Sequence, residues 1–260
     1  MQREGTLYTI IFSCVVCGIC SVLVSGAAVG LKPRQEANKI LDRQTKVLSV
    51  AGKIGEDESL SRTEIQERYA KYIEPRLVDF STGGFYEGAD ADPAKYDQRA
   101  ALKDPAMSAA APENAAQVLR VPKLALVYLV KNDAGAVEEI ILPVEGKGLW
   151  SMLYGYLALA ADTTTVKGII FYEHGETPGL GGEVENPVWT AKWRDKQAFD
   201  KEGKPAITVV KGAAGDDPHK VDGLSGATLT SRGVTNLLAF WLGDNAFGPF
   251  LKKFREQQGS

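Results

Sequence analysis

Residues 124–144 read LALVYLVKNDAGAVEEIILPV and predict a β-hairpin at the centre of the fold. Two runs rich in strand-forming residues, 124–130 and 137–144, flank a short segment in which Asn132, Asp133 and Gly135 favour a turn. Strand pairs that alternate with helices indicate an α+β domain, with a mixed sheet and helices packed against it. Further strands are expected at 76–80, 166–172 and 207–210, and helices at 37–51, 61–73, 149–161, 234–242 and 248–255.

The N-terminal segment 1–31 predicts a single transmembrane anchor. The 27 residues from 5 to 31 contain no charged side chain, and about 20 apolar residues suffice to cross the hydrocarbon core of a bilayer. A cleaved signal peptide is the alternative, because the small residues at 25–28 could supply a cleavage site. The length of the apolar run favours a retained anchor.

The rest of the chain divides into a stalk, 32–120, and a main domain, 121–260. The stalk contains helices and an irregular excursion at 87–114 that is rich in Ala, Asp and Pro. Basic residues such as Lys32 and Arg34 follow the span, so the positive-inside rule alone would place the main domain in the cytoplasm. That rule weakens for long domains, and charge alone therefore does not choose a side.

Metal and nucleic-acid binding find no support in the composition. Cys14, Cys17 and Cys20 all lie within the predicted span, which offers no fourth ligand for a zinc or iron–sulfur site and favours packing against a partner helix. His174 and His219 lack metal-ligand spacing, so we expect no metal site. The net charge of −3 gives no basic footprint for nucleic acid.

Three glycine-rich segments carry the chemical signal. They are GKGLWS at 146–151, HGETPGLGGE at 174–183 and DGLSGAT at 222–228. Such loops let backbone N–H groups face a flat or anionic ligand, and Ser225 and Thr228 precede a predicted helix whose start favours a phosphate. None of them matches a phosphate-binding lysine loop or a dinucleotide fingerprint, so ATP and NAD binding lack support.

These three motifs, in this order, resemble the FMN-binding domain family. The single span, the stalk and the length are similar to the membrane-anchored flavoprotein subunits of bacterial Na+-translocating NADH:quinone oxidoreductases. The homologous subunit of the ferredoxin:NAD+ electron-transport complex is a close alternative, although the long excursion before Val121 favours the Na+-pumping enzyme.

The resemblance implies a covalent flavin. In this family the last threonine of the Ser/Thr-Gly-Ala-Thr motif, here Thr228, carries FMN through a phosphodiester bond, which makes the chain a phosphoprotein. A separate flavin transferase makes the link from FAD, and Asp222 would be recognised by it. The chain would relay electrons from NADH towards quinone among the other subunits of a complex in the bacterial inner membrane, with its soluble domain on the periplasmic side and with no NADH or quinone site of its own.

The resemblance also indicates which residues surround the flavin. The loop at 176–181 would lie along the isoalloxazine ring, Leu149 and Trp150 would wall the ribityl or phosphate side, and Lys211 would place positive charge near reduced flavin. The expected cofactor-binding residues are Thr228, Ser225, Gly226, Ala227, Glu176, Thr177, Gly179, Leu180, Gly181, Leu149, Trp150, Ser151 and Lys211.

Two functions of other classes remain open at this point. A membrane-anchored serine hydrolase would use Ser225 as its nucleophile with His219 as the base, but Ala227 stands where a nucleophile elbow requires glycine. A flavin-free stalk would bind partner proteins only.

Overall fold

The computed structural model describes residues 5–55 and 58–258. Two compact units divide the chain, the first ending at Gln44 and the second beginning at Thr45. Helix α1 (Thr6–Val50) continues through Pro33, so the predicted span and the predicted helix at 37–51 form a single helix. Within the described residues, α1 is the one helix long and apolar enough to cross a membrane.

The second unit begins with the last turn of α1, whose Val47 and Leu48 are fully buried. A capping box of Ser61 and Glu64 starts α2. The helices of this unit are α2 (Arg62–Tyr72), α3 (Gln98–Lys103), α4 (Pro187–Thr190), α5 (Thr228–Trp241) and α6 (Gly248–Gln258), with 3-10 turns at Gly181–Glu185 and Ala191–Trp193. The strands are β1 (Ile73–Asp79), β2 (Gly84–Phe85), β3 (Ser108–Ala110), β4 (Arg120–Pro122), β5 (Leu124–Lys131), β6 (Val137–Lys147), β7 (Met152–Ala160), β8 (Val166–Glu173), β9 (Thr208–Val209) and β10 (Lys220–Val221).

Six strands form the main sheet in the order β2-β1-β5-β6-β7-β8. Every pairing within it is antiparallel, and the parallel pairing lies in the small β9–β10 ladder. The α+β class is confirmed, as is the hairpin of β5 and β6, whereas the main sheet is antiparallel and not mixed as predicted. Strand β1 comes from the predicted stalk, so part of 32–120 belongs to the main sheet.

The predicted helix at 149–161 is wrong, because this segment contains strand β7. Leu153, Leu157 and Leu159 join the core beneath α5, whereas Tyr156 and Ala158 are buried on the opposite face. A strand buried on both faces gives a continuous apolar run that periodicity cannot distinguish from a buried helix. As a result, residues 148–151 form the turn of a hairpin, since Lys147 pairs with Met152.

The excursion at 87–114 is folded against the sheet instead of forming only an exposed loop. The Tyr96 hydroxyl donates to the backbone oxygen of Leu124 at 2.7 Å, and the Gln98 side chain accepts from the Leu126 amide at 2.8 Å. Ala101 of α3 is fully enclosed. A few well-placed side chains thus anchor a segment without a sustained apolar period.

Helix α5 packs closely against the β6–β7 hairpin. A Cβ atom at Gly146 would lie 2.5 Å from that of Leu237, and one at Gly233 would lie 2.5 Å from the Lys147 oxygen. Both glycines are therefore required by the close approach of helix and strand. This packing brings the start of α5, which lies at Thr228 and six residues before the predicted 234, beside the turn at 148–151.

Candidate functional site

The three glycine-rich segments meet around the carboxylate of Glu176. Its Oε1 accepts from the amides of Trp150 at 2.9 Å and Ser151 at 3.1 Å. Its Oε2 accepts from the Leu149 amide at 3.2 Å and from the Thr230 hydroxyl at 2.6 Å. One side chain thus joins the 174–181 loop, the β6–β7 turn and the first turn of α5.

Glu176 remains ionised although it is only 5% exposed. Burial alone would raise the pKa of this carboxyl, but the hydrogen bonds from Thr230 and the three backbone amides together bring the pKa below its ordinary value of 4.5. The centre of the site therefore holds a fixed negative charge at neutral pH.

Two of the glycines are explained by this carboxylate. A Cβ atom at Gly148 would lie 2.7 Å from Oε1 of Glu176, and one at Gly181 would lie 2.7 Å from Oε2 and 2.6 Å from the Thr230 hydroxyl oxygen. Gly181, expected to contact the cofactor, is thus required by internal packing. Gly179 is a turn position with φ of +75°.

Thr228 is the first residue of α5 and is exposed. The N-cap residue, Ala227, forms no side-chain cap, and the first backbone bond of the helix runs from the Ser231 amide to the Ala227 oxygen. The N–H groups of the first helical turn have no acceptor within the helix, and the helix dipole adds a partial positive charge there. The site therefore offers an accessible hydroxyl beside a favourable environment for a phosphate.

The segment before Thr228 is held from inside the chain. The Leu224 amide donates to the buried Ser231 hydroxyl at 3.1 Å. Gly226 adopts a left-handed φ of +71°, and a Cβ atom there would lie 2.9 Å from Leu180 Cδ2. Leu180, predicted to face the flavin, thus lies directly against Gly226 of the 222–228 segment.

Asp222, expected to be recognised by a transferase, already has two partners. Its carboxylate accepts from Lys192 Nζ at 2.6 Å and from the Ala214 amide at 2.7 Å. The Lys192 hydrogen bond is the main reason that the pKa of Asp222 is lowered. Asp222 therefore braces the loop that follows β9, a structural task that the sequence pattern did not indicate.

An apolar rim lies on the three segments that meet at Glu176. It consists of Trp150, 68% exposed, together with Leu149, Leu180 and Leu229, each at least 40% exposed. Exposed apolar side chains grouped beside a phosphate-favouring helix start match a flat ligand that carries a phosphate.

Other predicted residues lie at the edges of this arrangement. Thr177 is exposed, and its backbone oxygen accepts from the amides of Leu180 and Gly182. The Ser151 hydroxyl accepts from the Gly175 amide at 2.6 Å, which ties the β6–β7 turn to the next loop. Lys211 is exposed beside Gly212, whose oxygen accepts from the Gly223 amide, so Lys211 flanks the 222–228 segment.

Sequence reasoning missed Thr230 and Ser231. Both side chains are buried, and both bind groups in other parts of the site. The run Thr228-Leu229-Thr230-Ser231 could have indicated their burial. When three hydroxyl residues fall within one helical turn, some of them face the protein interior.

The hydrolase alternative finds no support in the geometry. His219 Nδ1 lies 3.0 Å from the backbone oxygen of Gln197, and among the described residues no hydrogen bond joins this imidazole to Ser225. Within the same residues, no group of three or more His, Cys, Asp or Glu is placed to hold a metal ion.

Comparison with known proteins identifies the family. Residues 148–243, which include the turn, the loop and the start of α5, match the FMN-binding domain family. The NqrC protein of the Na(+)-translocating NADH-quinone reductase of Yersinia pestis is 49% identical over 251 residues, covering 95% of this chain and 92% of that protein. This chain belongs to the NqrC family of Na+-translocating NADH-quinone reductases. The resemblance predicted from the three motifs is confirmed.

Further members of the NqrC family agree in sequence and in fold. The homologue of Vibrio campbellii is 53% identical over 243 residues, covering 92% of this chain and 91% of that protein. The crystal structure of Shewanella oneidensis NqrC matches with a TM-score of 0.77 and 36% identity, covering 85% of this chain and 99% of that one. The crystal structure of the homologue from Parabacteroides distasonis matches with a TM-score of 0.64 and 30% identity, covering 85% of this chain and 96% of that one.

Proposed function

We propose that this chain is a membrane-anchored electron carrier that holds FMN covalently at Thr228 and works within a Na+-translocating NADH-quinone reductase. The observation that carries the proposal is the position of Thr228: this residue is exposed at a helix start without a side-chain cap, inside the segment that matches the FMN-binding domain family. A hydroxyl is the group that can form the phosphoester.

The residues present suit a flavin phosphate. The first-turn amides of α5 would bind its oxygens. Leu180 would offer apolar surface to the ring, and so would Trp150 and Leu149, in place of the ribityl or phosphate contact expected from the resemblance. Backbone groups at Thr177, Gly179 and Gly181, with the side chains of Ser225 and Lys211, would supply further polar contacts to the cofactor. FMN supplies the electron-transfer chemistry when bound, and the chain positions it and sets its environment.

Attachment requires a transferase and FAD. The Thr228 oxygen forms a bond to the phosphorus of the FMN half, the pyrophosphate bond breaks, AMP leaves and the hydroxyl proton is released to a base. The exposure of Thr228 supports this step, because an enzyme must reach the hydroxyl in the folded domain.

We further propose that α1 is retained as a single membrane anchor, with the second unit on the periplasmic side among other subunits of the complex. The long apolar helix supports the anchor, and the family supports the side of the membrane. Cys14, Cys17 and Cys20 lie on this helix, where packing against a partner helix is the role we infer.

Mass spectrometry of a peptide spanning residues 222–232 tests the attachment. After co-expression with a flavin transferase, the wild-type peptide should carry an FMN-sized addition, and the denatured chain should fluoresce as flavin on a gel. Ser225→Ala should keep the fluorescent band and Thr228→Val should lose it. The reverse pattern would place the attachment at Ser225, and a wild-type peptide without the addition would refute a covalent flavin.

A further inference from the structure

We propose that Glu176 is a positioning residue of the flavin site: it fastens the 148–151 turn and the first turn of α5 to the 174–181 loop and holds a fixed negative charge between them. This assignment rests on the proposed function, which it deepens. It also changes the expected role of Glu176, from a ligand of the cofactor to a residue that acts through the segments around it.

The hydrogen bonds of this carboxylate cross long stretches of sequence. Leu149, Trp150 and Ser151 lie 27, 26 and 25 residues before Glu176, and Thr230 lies 54 residues after it. Hydrogen bonds to a charged group stabilise a structure more than hydrogen bonds between neutral groups do. With the Ser151 hydroxyl, which donates to Oε1 at 3.4 Å, five such bonds on one side chain couple three segments that share no strand or helix.

The carboxylate is enclosed too tightly to serve as a ligand itself. Gly148 and Gly181 approach its two oxygens so closely that neither could carry a side chain. With 5% of the residue exposed and both oxygens accepting from the chain, no face of the carboxylate is left for a cofactor atom.

The backbone of Glu176 is held as well as its side chain. Its amide donates to Nδ1 of His174 at 3.1 Å, and Nε2 of the same ring lies 3.0 Å from Oε1 of Glu185. Because the backbone of Glu176 is held in place, its side chain can fix the distance between the 148–151 turn and the first turn of α5.

The charge has a consequence for the redox properties of a bound flavin. Reduction adds negative charge to the ring, and a fixed negative charge nearby in a buried site opposes it. Glu176 should thus lower the reduction potential. Glutamine has nearly the same shape, but its amide has a single acceptor oxygen and its NH2 group would face N–H and O–H donors. Glu176→Gln therefore removes the charge and breaks the fastening.

Hydrogen exchange on the full chain before flavin attachment tests the fastening. In Glu176→Gln the amides of Leu149, Trp150 and Ser151 should exchange at least about tenfold faster than in the wild type. The matched control is Asp162→Asn at the far end of the β7–β8 hairpin, where Asp162 accepts from the Thr164 and Thr165 amides and the Thr165 hydroxyl. That variant should leave the three amides unchanged.

The potential of the flavin-loaded full chain tests the charge. Glu176→Gln should shift the midpoint potential to a more positive value, Glu176→Asp, which keeps the charge, should shift it less, and Asp162→Asn should not shift it. If Glu176→Gln fails to fold, Thr230→Val removes one donor and should raise the exchange of the same amides by a smaller factor. Unchanged amide exchange together with an unchanged midpoint potential in a folded Glu176→Gln protein would overturn the inference. A wild-type chain that never acquires FMN would instead overturn the proposed function, and the exchange result would still hold.

Discussion

The indole nitrogen of Trp241 donates a hydrogen bond to the backbone oxygen of Glu145 at 2.6 Å. This bond joins α5 to β6 just before Gly146, a position at which the helix and the strand approach closely. It fixes the helix along the strand, and thereby holds the helix start near the β6–β7 turn.

Trp241→Phe should destabilise the second unit by more than the loss of ring volume requires. The change leaves the Glu145 oxygen without its donor, and a buried polar group without a partner costs about 1–3 kcal/mol. Urea unfolding of the two proteins measures the difference in the free energy of unfolding.

Trp193→Phe is the matched control for this change. Trp193 is fully buried, but its indole nitrogen has no hydrogen-bond partner among the described residues. Trp193→Phe therefore loses the same side-chain volume as Trp241→Phe, but the N–H group that it removes is unpaired and no acceptor loses its donor. Equal destabilisation in the two variants would show that the bond to Glu145 contributes nothing.

The stability of the chain should fall as the pH rises through neutrality. Burial raises the pKa of Glu145 to about 7, with the nearby Arg99 opposing the shift. A carboxyl whose pKa is higher in the folded state than in the unfolded chain stabilises the fold fully below about pH 4.5, and that contribution is lost as the pH rises through about 7. Glu139, on the same strand, has its pKa raised to about 7 by burial and by Glu138.

Glu145→Gln should therefore reduce the pH dependence. Between about pH 5 and about pH 8 the change in the free energy of unfolding should be smaller by about 2–3 kcal/mol than in the wild type. Glu139→Gln should act in the same direction. A variant whose unfolding free energy follows the wild-type pH curve would rule out a raised pKa at position 145.

Trp150→Ala should alter the flavin while leaving the fold intact. The side chain is largely exposed, so its removal should change the free energy of unfolding by no more than about 0.5 kcal/mol. An indole stacked against a flavin quenches its emission, so the fluorescence of the folded, flavin-loaded chain should increase. Val188→Ala, also at a highly exposed apolar position but outside the three glycine-rich segments, should change neither quantity. An unchanged emission in Trp150→Ala would mean that the ring lies elsewhere.

A single cysteine can report the side of the membrane. All native cysteines lie on α1, and Glu202 is exposed in the turn between Asp200 and Lys204. In intact spheroplasts, Glu202→Cys should react with a membrane-impermeant maleimide, whereas the wild type should not. Labelling that requires lysis would place the second unit in the cytoplasm, as the basic residues after the span would suggest.

The sequence predicted the elements whose signals are local. The β5–β6 hairpin could be predicted because Asn132, Asp133 and Gly135 favour a turn between two strand-like runs. Strand β7 could not, because both of its faces are buried and the pattern of alternation disappears. Only its pairing with β6 and β8, which involves distant residues, determines its conformation.

The site shows the same division between local and distant information. Glycine-rich turns and an exposed hydroxyl run are visible in the sequence, and the family resemblance singled out Thr228. The role of Glu176 depends on hydrogen-bond donors that are distant in sequence, such as the Leu149 amide and the Thr230 hydroxyl. No local sequence pattern indicates which carboxylate oxygen each of these donors will bind. The burial of Thr230 could not be predicted from local sequence either, because its hydrogen-bond partner lies in another loop.

The missing cap at Ala227 gives the cofactor a second role. A phosphodiester on Thr228 would bring two acceptor oxygen atoms to the N-terminus of α5. The first-turn N–H groups there lack intrahelical acceptors, and no side chain caps them. Attachment of the proposed flavin would therefore stabilise the start of α5, and the domain would reach its full stability only after that step.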